Sequence, residues 1–210
     1  MTATTAVLTV RSGLWLVVFF AVLIWSAIAP YDRLTWWLEV APALIGLVLM
    51  AWTYQRFPLT TLLYILILIH SLILFVGGHY TYARVPAFDW LRDTFELSRN
   101  HYDRVGHLAQ GFIPAMIARE LLLRLTPLKR GGWLFFLVLC VCLAISAVYE
   151  LIEWGAAMAL GGNAEEFLAL QGDEWDTQKD MALAGIGALA AQLALARWHD
   201  RQLQQMDSPK

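Results

Sequence analysis

WLFFLVLCVCLAISAVYELIEW, residues 133–154, decides the fold of this chain. A helix needs about 20 apolar residues to cross the hydrocarbon core of a bilayer, and this stretch supplies them. It also ends on two carboxylates, Glu150 and Glu153, one helical turn apart. Further runs of the same character lie at 13–29, 38–54, 60–78, 105–123 and 181–198. The expectation is an all-α polytopic membrane bundle of about six transmembrane helices, a single integral membrane domain over 1–210. Pro42 and Gly46 interrupt the second run, and these bounds place Pro42 in a first turn, where proline is tolerated. The first run ends in Ala27-Ile28-Ala29, a cleavage-like triplet, but Pro30 would follow the cut, so the run reads as a retained helix.

Composition agrees. Of 210 residues 59% are hydrophobic and 15% charged, well below the roughly 25% charge of soluble domains, and mean hydropathy is +0.56. The ten Trp residues suit membrane interfaces. A net charge of −2 gives no basic surface for nucleic acid. The lipid bilayer is the expected partner. Cys140 and Cys142 lie on different sides of one helix and read as small buried hydrophobes.

Loop charge sets the orientation. With the N-terminus inside, Arg11, Arg56, Arg119, Arg124, Lys129, Arg130, Arg197, Arg201 and Lys210 are cytoplasmic, and Arg33, Arg84, Arg92, Arg99, Arg104 and Lys179 are outside. An even number of spans places both termini in the cytoplasm. The two long connections are then external. In FDWLRDTFEL (88–97), Phe88, Leu91 and Phe95 share one helical face and Asp89, Arg92, Asp93 and Glu96 surround the other, the pattern of a short interfacial helix. Asn163 with Glu166 suggests a second short helix after Gly161-Gly162.

That topology gathers the ionisable residues at one end. His79 closes the third span. Asp103 and His107 share a face at the start of the fourth, Glu150 and Glu153 lie near the outer end of the fifth, and Asp173, Asp176 and Asp180 precede or open the sixth. Like charges about 6 Å apart repel by roughly 3 kcal/mol at an effective dielectric of 20. Such a group needs protons, ion-pair partners (Arg84, Arg104, Lys179) or a bound cation. Imidazole with carboxylate suits Zn²⁺ or Mn²⁺, and carboxylates alone suit Mg²⁺ or Ca²⁺. Helix capping explains Asp103, Asp173 or Asp176 without function. It does not explain Glu150 and Glu153, near a helix C-terminus where the dipole disfavours them. His70, Gln110 and Gln192 read as hydrogen-bonding residues inside the bundle, Tyr80, Tyr82, Tyr102 and Tyr149 as interfacial aromatics or, by their hydroxyls, as lining of the pocket, and Gly185 and Gly187 as sites of close helix packing.

The strings HYTYARVP (79–86), NHYDRVGH (100–107), YELIEW (149–154) and GDEWDTQKDM (172–181) resemble, in this order, the YjdF-type family of bacterial inner-membrane proteins. The resemblance implies inner-membrane location and multi-pass topology, and no activity. A looser likeness is to VanZ-like membrane proteins, whose pattern Asp103, Arg104, His107, Glu150, Asp176 and Gly185 match, with Glu153 where that pattern has Gln and Asp180 where it has Asn. Both departures add a carboxylate and favour a cation site. The readings are therefore a membrane protein with an outward-facing acid/His pocket, possible metal ligands being Asp103, His107, Glu150, Glu153, Asp173, Asp176, Asp180 and His79; a metal-assisted hydrolase of a lipid or envelope precursor, with Glu150, Glu153 or Asp173 as candidate catalytic base; or a small cation or proton transporter or envelope scaffold. No Walker-type loop, serine-nucleophile motif or H-E-x-x-H occurs.

Overall fold

A computed structural model describes residues 3–160 and 171–207. The described residues form α1 (Ala3–Ala27), α2 (Arg33–Thr53), α3 (Thr61–Tyr80), α4 (Pro86–Phe95), α5 (Tyr102–Leu125), α6 (Gly132–Leu160) and α7 (Asp176–Asp207), with no strand among them. Each of the six apolar runs falls on its own helix, and the interfacial segment forms α4. The second short helix, at Asn163 and Glu166, lies outside the described residues.

By length and apolarity α2, α3, α6 and α7 are each sufficient to cross a membrane, and α1 carries a shorter apolar stretch, Gly13–Ala27. α5 is less apolar, since Asp103, Arg104, His107, Gln110, Arg119, Glu120 and Arg124 lie on it. It is nevertheless a 24-residue helix, roughly 36 Å long at 1.5 Å per residue. Its place in the bundle resolves the contradiction. α5 packs against α3, α6 and α7, so its charges face protein. Leu63, Ile113, Met116, Leu134, Val138, Cys142 and Ala188 make the core around it. α1 and α2 attach on the far side of α3 through Phe19, Trp36, Val40 and Phe75, with the Phe19 and Phe75 rings edge to face at 5.0 Å.

The second span starts earlier than its apolar pattern indicates. Asp32 caps α2, its Oδ1 accepting the Thr35 amide at 2.7 Å. Pro42 is therefore inside the helix and not in its first turn, and the carbonyl four residues back, at Leu38, loses its helical donor. α5 and α7 run parallel in direct backbone contact. A Cβ on Gly111 would lie 1.8 Å from the Ala184 carbonyl oxygen, and one on Gly187 2.2 Å from that of Leu108. Gly185, by contrast, faces only the Leu143 side chain at 3.4 Å.

A buried polar network locks the end of the bundle opposite Asp103. Glu120 accepts from the Thr60 amide and hydroxyl, from Arg124 at 2.7 Å and from His199 Nε2 at 2.9 Å. Arg119 donates to His199 Nδ1 at 2.7 Å and to Asp200 at 2.8 Å. Since guanidinium only donates, His199 Nδ1 carries the lone pair and Nε2 the proton. His199 thus links an arginine and a glutamate, joining the start of α3 to the far ends of α5 and α7.

Candidate functional site

The other ends of α5 and α7 hold the acid/His group. The α5–α7 register set by Gly111 and Gly187 brings Asp103 and His107 level with Asp176 and Asp180. A short loop supplies the first cation. Asn100 is fully buried; its side-chain amide donates to Val85 O and Asp89 Oδ1, both at 3.0 Å, and its Oδ1 accepts the Tyr102 amide at 3.1 Å. Asn100 therefore serves the N-terminus of α5, and Asp103 is not spent on capping. The same loop directs Arg99 inward, where it pairs with Asp103 at 3.2 Å, with Asp173 at 3.7 Å and closely with Asp176. Arg104 reaches Asp173 at 2.9 Å and both Asp176 and Asp180. Lys179 binds Asp173 at 2.7 Å and holds that carboxyl below the usual carboxylate range. Asp173 and Asp176 thus belong to a clamp of ion pairs.

His107 stands inside this clamp. Its Nδ1 lies 3.1 Å from Gln110 Oε1; an amide oxygen accepts, so Nδ1 carries a proton, and Nε2 faces away from Gln110. Nε2 lies 3.4 Å from Asp103 Oδ1 and 3.8 Å from Asp180 Oδ2. The other oxygens of these aspartates are the ones held by Arg99 and Arg104. One donor atom from each of Asp103, His107 and Asp180 falls within 4.8 Å of the others, and all three residues are buried. Glu150 Oε1 approaches the opposite nitrogen of the ring at 3.7 Å. That oxygen is buried and accepts no hydrogen bond among the described residues.

Glu39, on α2, completes the group and is absent from the sequence reading. It is 5% exposed. Tyr149 donates to its Oε2 at 3.1 Å, and Tyr82 hydrogen-bonds the same carboxyl. Tyr82 arrives through a reversal at the end of α3, where Thr81 and Tyr82 both have left-handed backbones (φ 53° and 54°). Its ring slots between two helices only because Gly77 and Gly106 lack side chains: a Cβ there would stand 2.3 and 2.9 Å from ring atoms. Tyr82 and Tyr102 are accordingly buried, not interfacial. Two expected members lie elsewhere. His79 points toward α1, its Nδ1 3.0 Å from Ser26 O and its ring 4.7 Å from Trp25. Arg84 stacks over Tyr31 at 4.1 Å.

A cavity of about 690 Å³ opens from this group. Asp103, His107, Glu39, Glu153 and Tyr149 lie at one end, and Thr53, Phe57, Leu59 and Leu125 at the other. α2 packs on α3, and no extensive packing joins α2 to α5 or α6. The cavity is the space left between them, bridged at the top by the Glu39–Tyr149 hydrogen bond.

Residues 12–201 match a family described as "Predicted membrane protein (DUF2238)". The inner membrane protein YjdF of Escherichia coli (strain K12) is 52% identical over 182 residues, 87% of either chain. No solved structure matches the chain. With the family's pattern running through nearly every helix described above, this chain belongs to the DUF2238 family of predicted membrane proteins.

Proposed function

We propose that this membrane protein holds a divalent cation at Asp103, His107 and Asp180 and uses it in metal-assisted hydrolysis of a lipid or envelope precursor. The observation that carries this reading is the convergence of Asp103 Oδ1, Asp180 Oδ2 and His107 Nε2 on one buried point. Charge supports it. Glu39, Asp103, Glu150, Glu153, Asp173, Asp176 and Asp180 stand against Arg99, Arg104 and Lys179, and buried carboxylates in excess of their cations call for protons or a metal. Gln110 fixes the tautomer that frees Nε2, as outer partners of ligating histidines do. Three protein ligands leave coordination positions for water and substrate. A cation held there would supply Lewis-acid chemistry and activate a water. Glu153, which lines the cavity, would serve as the general base. The excess of lysine and arginine at the opposite end supports a non-cytoplasmic position for this site.

Elemental analysis of detergent-purified protein tests the cation. Wild type is expected to carry near-stoichiometric metal, and His107→Gln and Asp180→Asn to lose it while still eluting as folded protein. Negligible metal in wild type after growth and purification in Zn²⁺, Mn²⁺ or Mg²⁺ would refute the reading.

A further inference from the structure

We infer that the cavity between α2, α3, α5 and α6 seats the hydrocarbon chain of an amine-bearing phospholipid, which enters sideways from the bilayer with its ammonium group against Glu39 and Glu153. The inference rests on the proposed function and deepens it by naming the ligand class; the cation ligands Asp103 and His107 line the polar end of the cavity, and Asp180 does not.

Shape comes first. The cavity follows α2 from Glu39 to Thr53, roughly 20 Å at 1.5 Å per residue, most of the way across a hydrocarbon core of about 30 Å. Its walls below the polar end are largely aliphatic. Leu49, Ile145 and Leu125 line it and are also 51%, 40% and 65% exposed. Side chains that face both the cavity and the outer surface of a membrane helix mark an opening to lipid. Water has no reason to fill an apolar space in contact with hydrocarbon, and an alkyl chain does.

Charge then selects the head. The polar end of the lining offers the carboxyls of Glu39, Asp103 and Glu153, the hydroxyls of Tyr82 and Tyr149 and the His107 ring, and no lysine or arginine. Arg99, Arg104 and Lys179 are turned into the aspartate clamp. Away from the cation ligands Asp103 and His107, the Glu39 and Glu153 carboxyls and the tyrosine hydroxyls offer an ammonium group acceptors on several sides.

Native mass spectrometry of the full chain, released from nanodiscs of equimolar phosphatidylethanolamine and phosphatidylglycerol, tests this. The protein is expected to retain phosphatidylethanolamine over phosphatidylglycerol by about tenfold, a difference of 1.4 kcal/mol. Glu39→Gln should keep a lipid and lose the preference. Gly46 lines the cavity and has open space where its Cβ would stand; Gly46→Phe should fold, keep its metal and lose the lipid. Equal retention of the two lipids by wild type would overturn the inference, as would full retention by a folded Gly46→Phe. The wild-type competition needs no variant to fold. Metal content measured on the same samples separates failure here from failure of the cation reading.

Discussion

Gly111→Ala is expected to lose most of the folded protein, although it adds a single methyl group. The new Cβ would stand 1.8 Å from the Ala184 carbonyl oxygen, 2.5 Å from its carbon and 2.7 Å from its Cα. All three are backbone atoms of α7, so no rotamer change relieves the overlap. The helices must separate, and the aliphatic contacts between them go with the separation. Overpacking usually costs 1–3 kcal/mol; with backbone on the receiving side we expect about 3 kcal/mol or more. The control is Gly155→Ala, where nothing lies within 4 Å and a helical alanine is neutral or stabilising by up to about 1 kcal/mol. Thermal unfolding in detergent of the two variants beside wild type measures the contrast. Equal midpoints would mean that α5 and α7 do not touch as described.

Arg104→Met should be nearly as severe, for an electrostatic reason. Arg104 is the common partner of Asp173, Asp176 and Asp180, and the last two are 3% exposed. Removing one partner of a buried ion pair costs about 3–5 kcal/mol, because the remaining charge is left unpaired in a medium that solvates it poorly. Methionine keeps much of the side-chain volume, so the loss reports charge more than packing. Combining Arg104→Met with Asp180→Asn removes one stranded carboxylate and should recover part of the loss, a coupling that additive effects would not produce. A double variant as unstable as the sum of the singles would place Arg104 and Asp180 apart.

The fold was legible in the sequence because the bilayer imposes one length scale on every span, and each run of about 20 apolar residues announces itself. The bounds of α2 and α7 were harder, since polar ends such as Arg33–Thr35 and Arg201–Asp207 extend a helix without extending its apolar run. Asp103, His107, Glu150, Glu153 and Asp180 could be brought together from sequence because topology places the ends of the fourth, fifth and sixth spans side by side. Arg99 and Glu39 could not. Arg99 sits in a loop whose inward turn depends on the buried hydrogen bonds of Asn100. Glu39 is a single carboxylate at the edge of the second apolar run, and only the start of α2 at Arg33 sets it a turn and a half inside the helix. The Glu120–His199–Arg119 network was hidden differently. Its residues lie 79 and 80 positions apart, and each alone reads as a charge beside a cytoplasmic loop. Gly111 carries no local signal, because a glycine forced by a neighbouring backbone looks like any other glycine in an apolar run.

The most direct test of the cation centre is pulsed electron paramagnetic resonance on the purified protein loaded with Mn²⁺. The account predicts a bound manganese with hyperfine coupling to a single histidine nitrogen, and loss of that coupling in His107→Gln while the protein stays folded. A bound manganese without nitrogen coupling, or one whose coupling persists in His107→Gln, would contradict it.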